Sequence, residues 1–319
     1  MKYKRLAQID KPLSALTYGT PSAAARGIQE EAMRVYDLAW EAGFRTFDTA
    51  HSYGEGEAML GAWLKSRGYH NEAVILDKGC NPRQHGSQDV FSGQTIREQV
   101  EESLRRLQTD HVELYILHRD DPALPVDEIV EELNRLKQEG KILRFGGSNW
   151  TQDRLEQTKV YAEAHGLEGF TSCSPAFSLA RFISDPWGGS VAISGEEQQG
   201  FRDWLAAEKM PVFCYSSVGR GYLSGKFTIS SGKPIEECLS PAPIKEYDAP
   251  ENRARLARAE EMAKEKDATI SQIALAWLLH QPLDLYPIVA PSSLAHMEDN
   301  RKALDLKLTK EECDWLYFG

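Results

Sequence analysis

Four residues of this chain have side chains suited to placing a proton on an oxygen: Asp48, Tyr53, Lys78 and His118. Asp48 closes the apolar stretch of FDTA, and Tyr53 follows five residues later in the glycine-containing loop HSYGEG. A turn needs Gly, Asn or Asp; it does not need that aspartate and that tyrosine. Lys78 lies near the end of VILDKG and His118 follows LYIL. A tyrosine hydroxyl, with an ordinary pKa of about 10, is a weak acid at neutral pH. A neighbouring ammonium favours the phenolate and lowers that value. An aspartate paired with the lysine keeps it charged and in place, and a histidine can orient a carbonyl. Such a set donates a proton without a metal and without a covalent nucleophile. Taken singly, a Lys or His at a strand end is more often an ion-pair partner, and a Tyr beside Gly is often loop packing. Four together at successive strand ends favour chemistry.

The elements must bring these residues to one place. Eight short apolar runs lie at 15–18, 45–49, 73–78, 112–118, 142–148, 170–174, 211–216 and 286–290. Most are rich in Val, Ile, Phe or Tyr, which suits strands buried on both faces of a parallel sheet. Between them lie segments of helical spacing: 28–41, stopping at Gly43; 95–107; 126–138, ending at Gly140; 152–164; and 271–280. A glycine just past a helical run is the expected C-terminal cap. Eight strands alternating with helices predict an α/β fold, a (β/α)8 TIM barrel forming one domain over 1–319. In such a barrel the chemistry sits at the carboxyl ends of the strands, where Asp48, Lys78 and His118 fall. A doubly wound sheet wants G-x-G-x-x-G after its first strand, and here Gly19-Thr20-Pro21-Ser22 stands instead. Two irregular stretches, 180–199 and 227–250, read as long loops at the mouth.

The pattern FDTA-x-x-Y-G-x-G-E-x-x-L-G, with Asp48, Tyr53, Glu57 and Gly61, resembles the most specific motif of the aldo-keto reductases. The likeness runs over nearly the whole chain. GKILRFGGSNW (140–150), YSSVGRGYLSGKF (215–227), ALAWLLHQP (274–282) and HMEDNRKALDLKLT (296–309) resemble later blocks of that family in the same order. The resemblance implies an NAD(P)H-dependent oxidoreductase that interconverts a carbonyl, in an aldehyde, ketone or sugar-like compound, and its alcohol. Tyr53 would be the general acid or base, Lys78 and Asp48 would tune it, and His118 would position the substrate.

A nicotinamide site is implied in the same way. Ser148 and Asn149 match the pair that holds the nicotinamide amide, and Tyr215 matches the tyrosine stacked on the ring. Ser216, Gly219, Gly221, Leu223, Gly225 and Lys226 match the segment covering the pyrophosphate. Ser174 stands where many members have Gln, and Ser217 where many have Pro. In IVAPSSLAHMEDN, Ala290 and His296 stand where NADP-preferring members often carry Lys and Arg. Ser292, Ser293 and His296 can still hydrogen-bond a 2′-phosphate, without the bidentate grip of a guanidinium. Asp299 and Asn300 match an acidic–Asn pair near adenine. NADPH is the cofactor expected from the family, with NADH as its rival.

Trp150 and Trp187 are candidates for substrate walls or, equally, for core or loop anchors. His51, Arg119 and Asp120 fall near the rim, where Arg119 and Asp120 could simply pair with each other. The chain ends at Gly319 soon after its last helical segment, so the pocket is expected to be open or to depend on 180–199.

Net charge is −11, with a pI near 5.3. An acidic surface repels phosphate backbones, so nucleic acid is not an expected partner. Mean hydropathy is −0.47, and no apolar run approaches the roughly 18 residues that span a bilayer. The N-terminal MKYKRLAQIDKPLSAL lacks the apolar core of a signal peptide. The expectation is a cytoplasmic protein acting on a small carbonyl or alcohol, with no membrane partner, no metal and an open oligomeric state. The five scattered cysteines read as reduced, mostly buried thiols. A cofactor-binding regulatory subunit without significant turnover, as the barrels attached to potassium channels are, could keep the same four residues. A metal-dependent sugar isomerase would need more carboxylates and histidines at strand ends than Asp48 and His118.

Overall fold

Parallel pairing gathers the candidate residues at one edge of a sheet. The computed structural model describes residues 1–81 and 92–319, which fall into two units: 1–174 with 290–293, and 175–289 with 294–319. In the first unit six strands pair in chain order and in parallel: β3 (Thr17–Gly19), β4 (Thr46–Asp48), β5 (Val74–Gly79), β6 (Val112–Leu117), β7 (Ile142–Ser148) and β8 (Cys173–Ser174). β5 and β6 are buried at every position, as continuous apolar runs in a parallel sheet require. The register sets Gly19 beside Asp48, Gly79 beside Leu117 and Ser148 beside Ser174. Because all six strands run one way, their carboxyl ends form a single rim. A hairpin of β1 (Tyr3–Lys4) and β2 (Leu13–Ser14) precedes them. Ser14 Oγ accepts the amides of Arg45 and Thr46, both at 3.1 Å, and ties the hairpin to the start of β4.

Four helices of this unit follow expected segments, Gln29–Glu41, Gly93–Leu107, Asp127–Gln138 and Gln152–His165, and a further one, Gly56–Arg67, follows the Tyr53 loop where no helical segment was expected. Ser92 and Thr151 are N-caps that accept the amides of Thr95 and Arg154, each worth about 1 kcal/mol. Strand alternation sends Phe47 to one face of β4 and Asp48 to the other. On the Phe47 side, Tyr18, Tyr36, Trp40, Phe44, Trp63 and Tyr69 form an aromatic core. The Trp63 ring lies 5.2 Å from both Tyr36 and Phe47. Burying a large apolar side chain contributes roughly 1.5–3 kcal/mol, so Trp63 anchors its helix firmly. At Gly61 a Cβ would stand 2.5 Å from the carbonyl of Leu107. The glycine is therefore a packing requirement of the helix that follows the Tyr53 loop.

The second unit departs from the expected regular barrel. Run 211–216 forms no strand; isolated parallel bridges pair Val212 with Leu285 and Tyr215 with Ala176. Backbone bonds support them, such as Val212 N–H to the Asp284 carbonyl at 2.8 Å. Pro175, Pro211 and Pro287 have no amide to donate, and Ser216 turns left-handed at φ 56°, so the ladder is broken. Run 286–290 keeps only β9 (Ile288–Val289). Among the described residues, the eight expected strands are met by six parallel strands in the first unit and by one strand with a broken ladder in the second.

The expected loop at 227–250 also holds more order than its composition implied. It contains 3₁₀ turns at Ile229–Ser231 and Ile235–Glu237 and a helix at Pro241–Tyr247. Pro241 opens that helix, with φ preset for a first turn. Stretch 180–199 is irregular apart from a parallel bridge of Ala192 to Ala176 and the 3₁₀ turn Glu196–Gln198. The helices Gln199–Ala207, Pro250–Glu265, Ile270–Leu279, Leu294–Lys302 and Lys310–Phe318 complete the unit. No helix among the described residues is long and apolar enough to cross a membrane.

Candidate active site

Three members of the expected proton-transfer set arrive by strands of their own, and the fourth by a loop. Asp48 is the last residue of β4, Lys78 the penultimate residue of β5, and His118 the first after β6. They are 5%, 3% and 8% exposed. Tyr53 comes from the loop after β4, which its backbone fastens to the rim. Thr49 N–H donates to the Leu76 carbonyl at 2.9 Å, His51 N–H to the Lys78 carbonyl at 2.7 Å, and Tyr53 N–H to the Ala50 carbonyl at 2.9 Å. Gly54 holds φ 56°, and a Cβ there would stand 2.4 Å from the Ala25 carbonyl oxygen. The glycine beside Tyr53 is what lets the loop pass that backbone.

Lys78 Nζ donates to the Asp48 carboxylate and to the Thr49 carbonyl, the latter at 3.0 Å. The ammonium lies 5.3 Å from the centre of the Tyr53 ring. The His118 ring stands edge-on to Tyr53 with centroids 5.6 Å apart. Ser52 Oγ is 3.3 Å from His118 Nδ1. A serine hydroxyl donating to Nδ1 would leave the ring proton on Nε2.

Burial raises the Tyr53 pKa above the ordinary phenol value, and the pull of Lys78 only partly offsets it. The lowering expected from the sequence is thus reversed. Desolvation outweighs one ammonium, and Asp48, which pairs that ammonium, pushes the same way as burial. Tyr53 is therefore held as a neutral phenol. Burial, then the charges of Lys78 and Arg119, drive His118 well below the ordinary imidazole value, so it is a neutral imidazole. Burial opposes the Lys78 charge, but Asp48 and Tyr53 prevail and hold its pKa up. Burial raises Asp48, against the pull of Lys78.

Farther along the rim, Ser148 Oγ donates to the Ser174 carbonyl at 2.7 Å. Asn149 Nδ2 donates to the His118 carbonyl at 3.1 Å and to Ser148 Oγ at 3.0 Å. The ends of β6, β7 and β8 thereby bring His118, Ser148, Asn149 and Ser174 together. Asn149 holds φ 62°, a strained value for a residue with a side chain and a pointer to function. Trp150 is 2% exposed. Its indole N–H donates to the Arg119 carbonyl at 2.9 Å and its ring lies 4.6 Å from Phe170. It anchors the rim from within the core, and burial removes the open face that a substrate wall would need. Asp120, offered as a partner for Arg119, has a partner from elsewhere. Arg154 takes both Asp120 oxygens, at 2.8 and 3.0 Å, a partner supplied by the helix after β7.

In the second unit Tyr215 keeps a partly exposed ring. Trp187 stands edge-on to it at 5.9 Å, and the Arg220 guanidinium lies 4.9 Å from the centre of Trp187. Asp185 shapes the Trp187 turn by accepting the amides of Trp187 at 3.0 Å and Ser190 at 2.9 Å. Between Ser216 and Lys226 the backbone turns left-handed at Ser216, Gly219, Arg220, Gly221 and Gly225. Where a Cβ on Gly221 would stand, the space is empty. Leu223 is buried and Lys226 exposed. His296 is exposed, as is Ser292, which belongs to the first unit. Asp299 is committed to the start of the helix Ile270–Leu279, accepting from Thr269 Oγ1 at 2.9 Å and Gln272 Nε2 at 2.7 Å. Asn300 beside it is partly exposed.

Two residues escaped the sequence reading. Ser52 addresses His118, and its place one residue before Tyr53 was the available signal. Asp77 precedes Lys78 on β5 and is wholly buried on the opposite face, near Glu57 and Ser103. Burial, then the charge of Glu57, push its carboxyl well above the ordinary value. The signal lay in VILDKG, because adjacent charged residues on a strand must face opposite ways. Glu57, the motif glutamate, is itself held by Arg106 at 2.9 Å, and Arg106 also pairs with Glu102, the partner of His51.

A family model described as Aldo/keto reductase family matches residues 15–316. The chain is 28% identical over 324 residues to the uncharacterized oxidoreductase YrpG of Bacillus subtilis, covering 98% of this chain and 93% of that protein. It is 28% identical to the aldo-keto reductase str7 of Strobilurus tenacellus, over 89% of this chain and 79% of that one. Among solved structures, the thermostable aldo-keto reductase Tm1743, determined with the inhibitor epalrestat, has a similar fold, with a TM-score of 0.73 and 24% identity over 99% of this chain and 98% of that one.

Proposed function

We propose, from the premise that this chain belongs to the aldo/keto reductase family, that it reduces aldehyde, ketone or sugar-like carbonyls to alcohols with NAD(P)H and with Tyr53 as the proton donor. Membership makes it an oxidoreductase acting on carbonyl and alcohol groups. One observation carries the finer reading: a buried Lys78–Asp48 ion pair, a protonated Tyr53 and a neutral His118 share one rim. The family model spans both units, which supports reading 1–319 as one catalytic domain.

A bound reduced nicotinamide supplies the hydride. Tyr53 hands its phenolic proton to the carbonyl oxygen as that oxygen gains negative charge. Lys78 stabilises the phenolate left behind, and Asp48 keeps Lys78 charged and aimed. Neutral His118 donates a hydrogen bond to the same oxygen and orients it. Resting protonated, Tyr53 can act as the acid in reduction; as a phenolate it would accept the alcohol's proton in the reverse reaction.

Within each unit taken by itself, the residues that match the family's pattern fit part of the cofactor. Ser148, Asn149 and Ser174 would hold the carboxamide, and the strain at Asn149 supports that role. Tyr215 would stack on the ring. Ser216, Gly219, Gly221, Leu223 and Lys226 would meet the pyrophosphate, since successive left-handed turns present backbone amides to an anion. Ser292 and His296 would meet the adenosine end, with Asp299 and Asn300 beside it. NADPH follows from the family; the absence of Lys or Arg at Ala290 and His296 makes NADH its rival. Trp187 would wall the substrate.

Fluorescence titration with NADPH and with NADH at one salt concentration, followed by turnover with benzaldehyde, tests the reading. Tighter binding of NADPH is expected. Equal or tighter NADH binding would assign IVAPSSLAH to NAD. Binding of neither cofactor, with no turnover, would sink the proposal.

A further inference from the structure

We propose that Trp187 is a positioning residue for the cofactor, held by Arg220 and Glu246 so that it sets the Tyr215 ring for the nicotinamide; the inference rests on the reductase reading above and adds to it. All four residues lie in the second unit. The main chain of Tyr215 is secured by the segment after β8. Its amide donates to the Pro175 carbonyl at 3.1 Å, and its carbonyl accepts the Phe177 amide at 3.3 Å. Backbone bonds do not choose a side-chain rotamer. Trp187 meets the Tyr215 ring with centroids 5.9 Å apart and planes at 68°, the edge-to-face arrangement that ring quadrupoles favour.

Trp187 is fixed in its turn. Its amide donates to the Asp185 carboxylate at 3.0 Å. Its loop is tied to the helix Pro241–Tyr247 by Ile183 N–H to the Glu246 carbonyl at 2.9 Å and by Ser184 Oγ to the Lys245 carbonyl at 3.0 Å. The Arg220 guanidinium lies 4.9 Å from the centre of the Trp187 ring and pairs with the Glu246 carboxylate. Glu246 is 4% exposed, so Arg220 cannot swing away without stranding a buried charge. The cation is thereby kept over the indole, where it is attracted to the ring face. Arg220 also holds φ 53° between two left-handed glycines. A side chain in that conformation carries strain that a glycine avoids, and the bridge from Glu246 to Trp187 gives this side chain its task. The contacts run from Glu246 through Arg220 and Trp187 to Tyr215. A ring already held in its stacking pose loses less rotamer freedom when the nicotinamide arrives. The gain belongs to the nicotinamide half of the cofactor alone.

Calorimetric titration with NADPH and with 2′-phospho-ADP-ribose, which lacks the nicotinamide, tests this, with NADH and ADP-ribose as a parallel pair. Trp187→Ala should weaken the nicotinamide-bearing ligand by about two- to tenfold, the range of one edge-to-face pair, and leave its truncated partner nearly unchanged. Trp187→Phe should restore part of the loss. Glu246→Gln should show the same selective loss to a smaller degree. Trp187 is a partly exposed loop residue, so its removal leaves the core packed. An equal loss of both ligands in Trp187→Ala, or a loss of neither, would overturn the proposal. Tyr215→Ala separates the two layers of inference. If it binds NADPH and NADH as tightly as the wild type does, the stacking role of Tyr215 falls and the inference falls with it. If it weakens them selectively while Trp187→Ala does not, the inference alone falls.

Discussion

Lys78 and Asp77 are neighbours on β5, both wholly buried, and they meet opposite fates. Lys78 faces the rim, finds Asp48, and stays an ion that can tune a phenol. Asp77 faces the helices and finds another acid, Glu57, so its carboxyl is driven to hold a proton. Both pay the desolvation of a buried charge, and both are set one residue apart in the same strand. What separates them is the sign of the ionisable group on the side that each one faces. A buried ionisable residue becomes chemical equipment where its neighbour opposes it in charge, and becomes a stability cost where its neighbour repeats it.

The front of β5 should break hardest. Lys78→Met or Tyr53→Phe should lower kcat/KM for aldehyde reduction by about 10²- to 10⁴-fold, with NAD(P)H affinity by fluorescence little changed. Full turnover in Tyr53→Phe would remove it from the proton-donor role. Asp48→Asn should strand the Lys78 ammonium in the interior and cost about 3–5 kcal/mol in urea unfolding. A cost below about 1 kcal/mol, the range of a surface pair, would mean that the ion pair is solvated in practice.

The back of β5 should answer in the opposite sense. An unfolded aspartate titrates near about 4, and folded Asp77 titrates well above its ordinary value. Between those points the folded protein holds a proton that the unfolded chain has lost, so stability falls as pH rises through that window, by up to about 1.4 kcal/mol per pH unit. Asp77→Asn should flatten that fall and raise the melting temperature at neutral pH, with turnover nearly intact. A variant that melts lower than wild type at neutral pH, with the slope unchanged, would show Asp77 to be ionised and paired. The smallest expected effect belongs to His118. Because its pKa is pushed well down, the profile of kcat/KM should show no break near the ordinary imidazole value of about 6.5. A break there would mean that His118 ionises during turnover.

Much of the site was legible in the chain because its signals are local. FDTA, the Tyr53 loop and Gly61 lie within one strand, one turn and the start of one helix, and each residue there has a short-range reason. Lys78 and His118 were found because apolar runs end where polar residues begin. The partner of Asp120 was missed because Arg154 arrives from the helix after β7, 34 residues later. Trp150 was left ambiguous because an aromatic residue beside a Ser-Asn pair reads the same in a pocket wall and in a core. The direction of the Tyr53 pKa was missed because spacing reveals the nearby ammonium but not how much water burial removes. Run 211–216 looked like a strand from its apolar content, yet prolines on it and on its neighbours took away the donors of a regular ladder.

Residue type and short-range order thus set which groups could do the chemistry, where strands and helices begin, and which family the chain would join. Packing over long range decided which of those groups stay charged, which anchor rather than bind, and which cation stands beside the acid. The reason is that hydrogen-bonding propensity and periodicity act over a few residues along the chain. Desolvation and Coulomb energies depend on neighbours in space, which appear only once the strands are side by side.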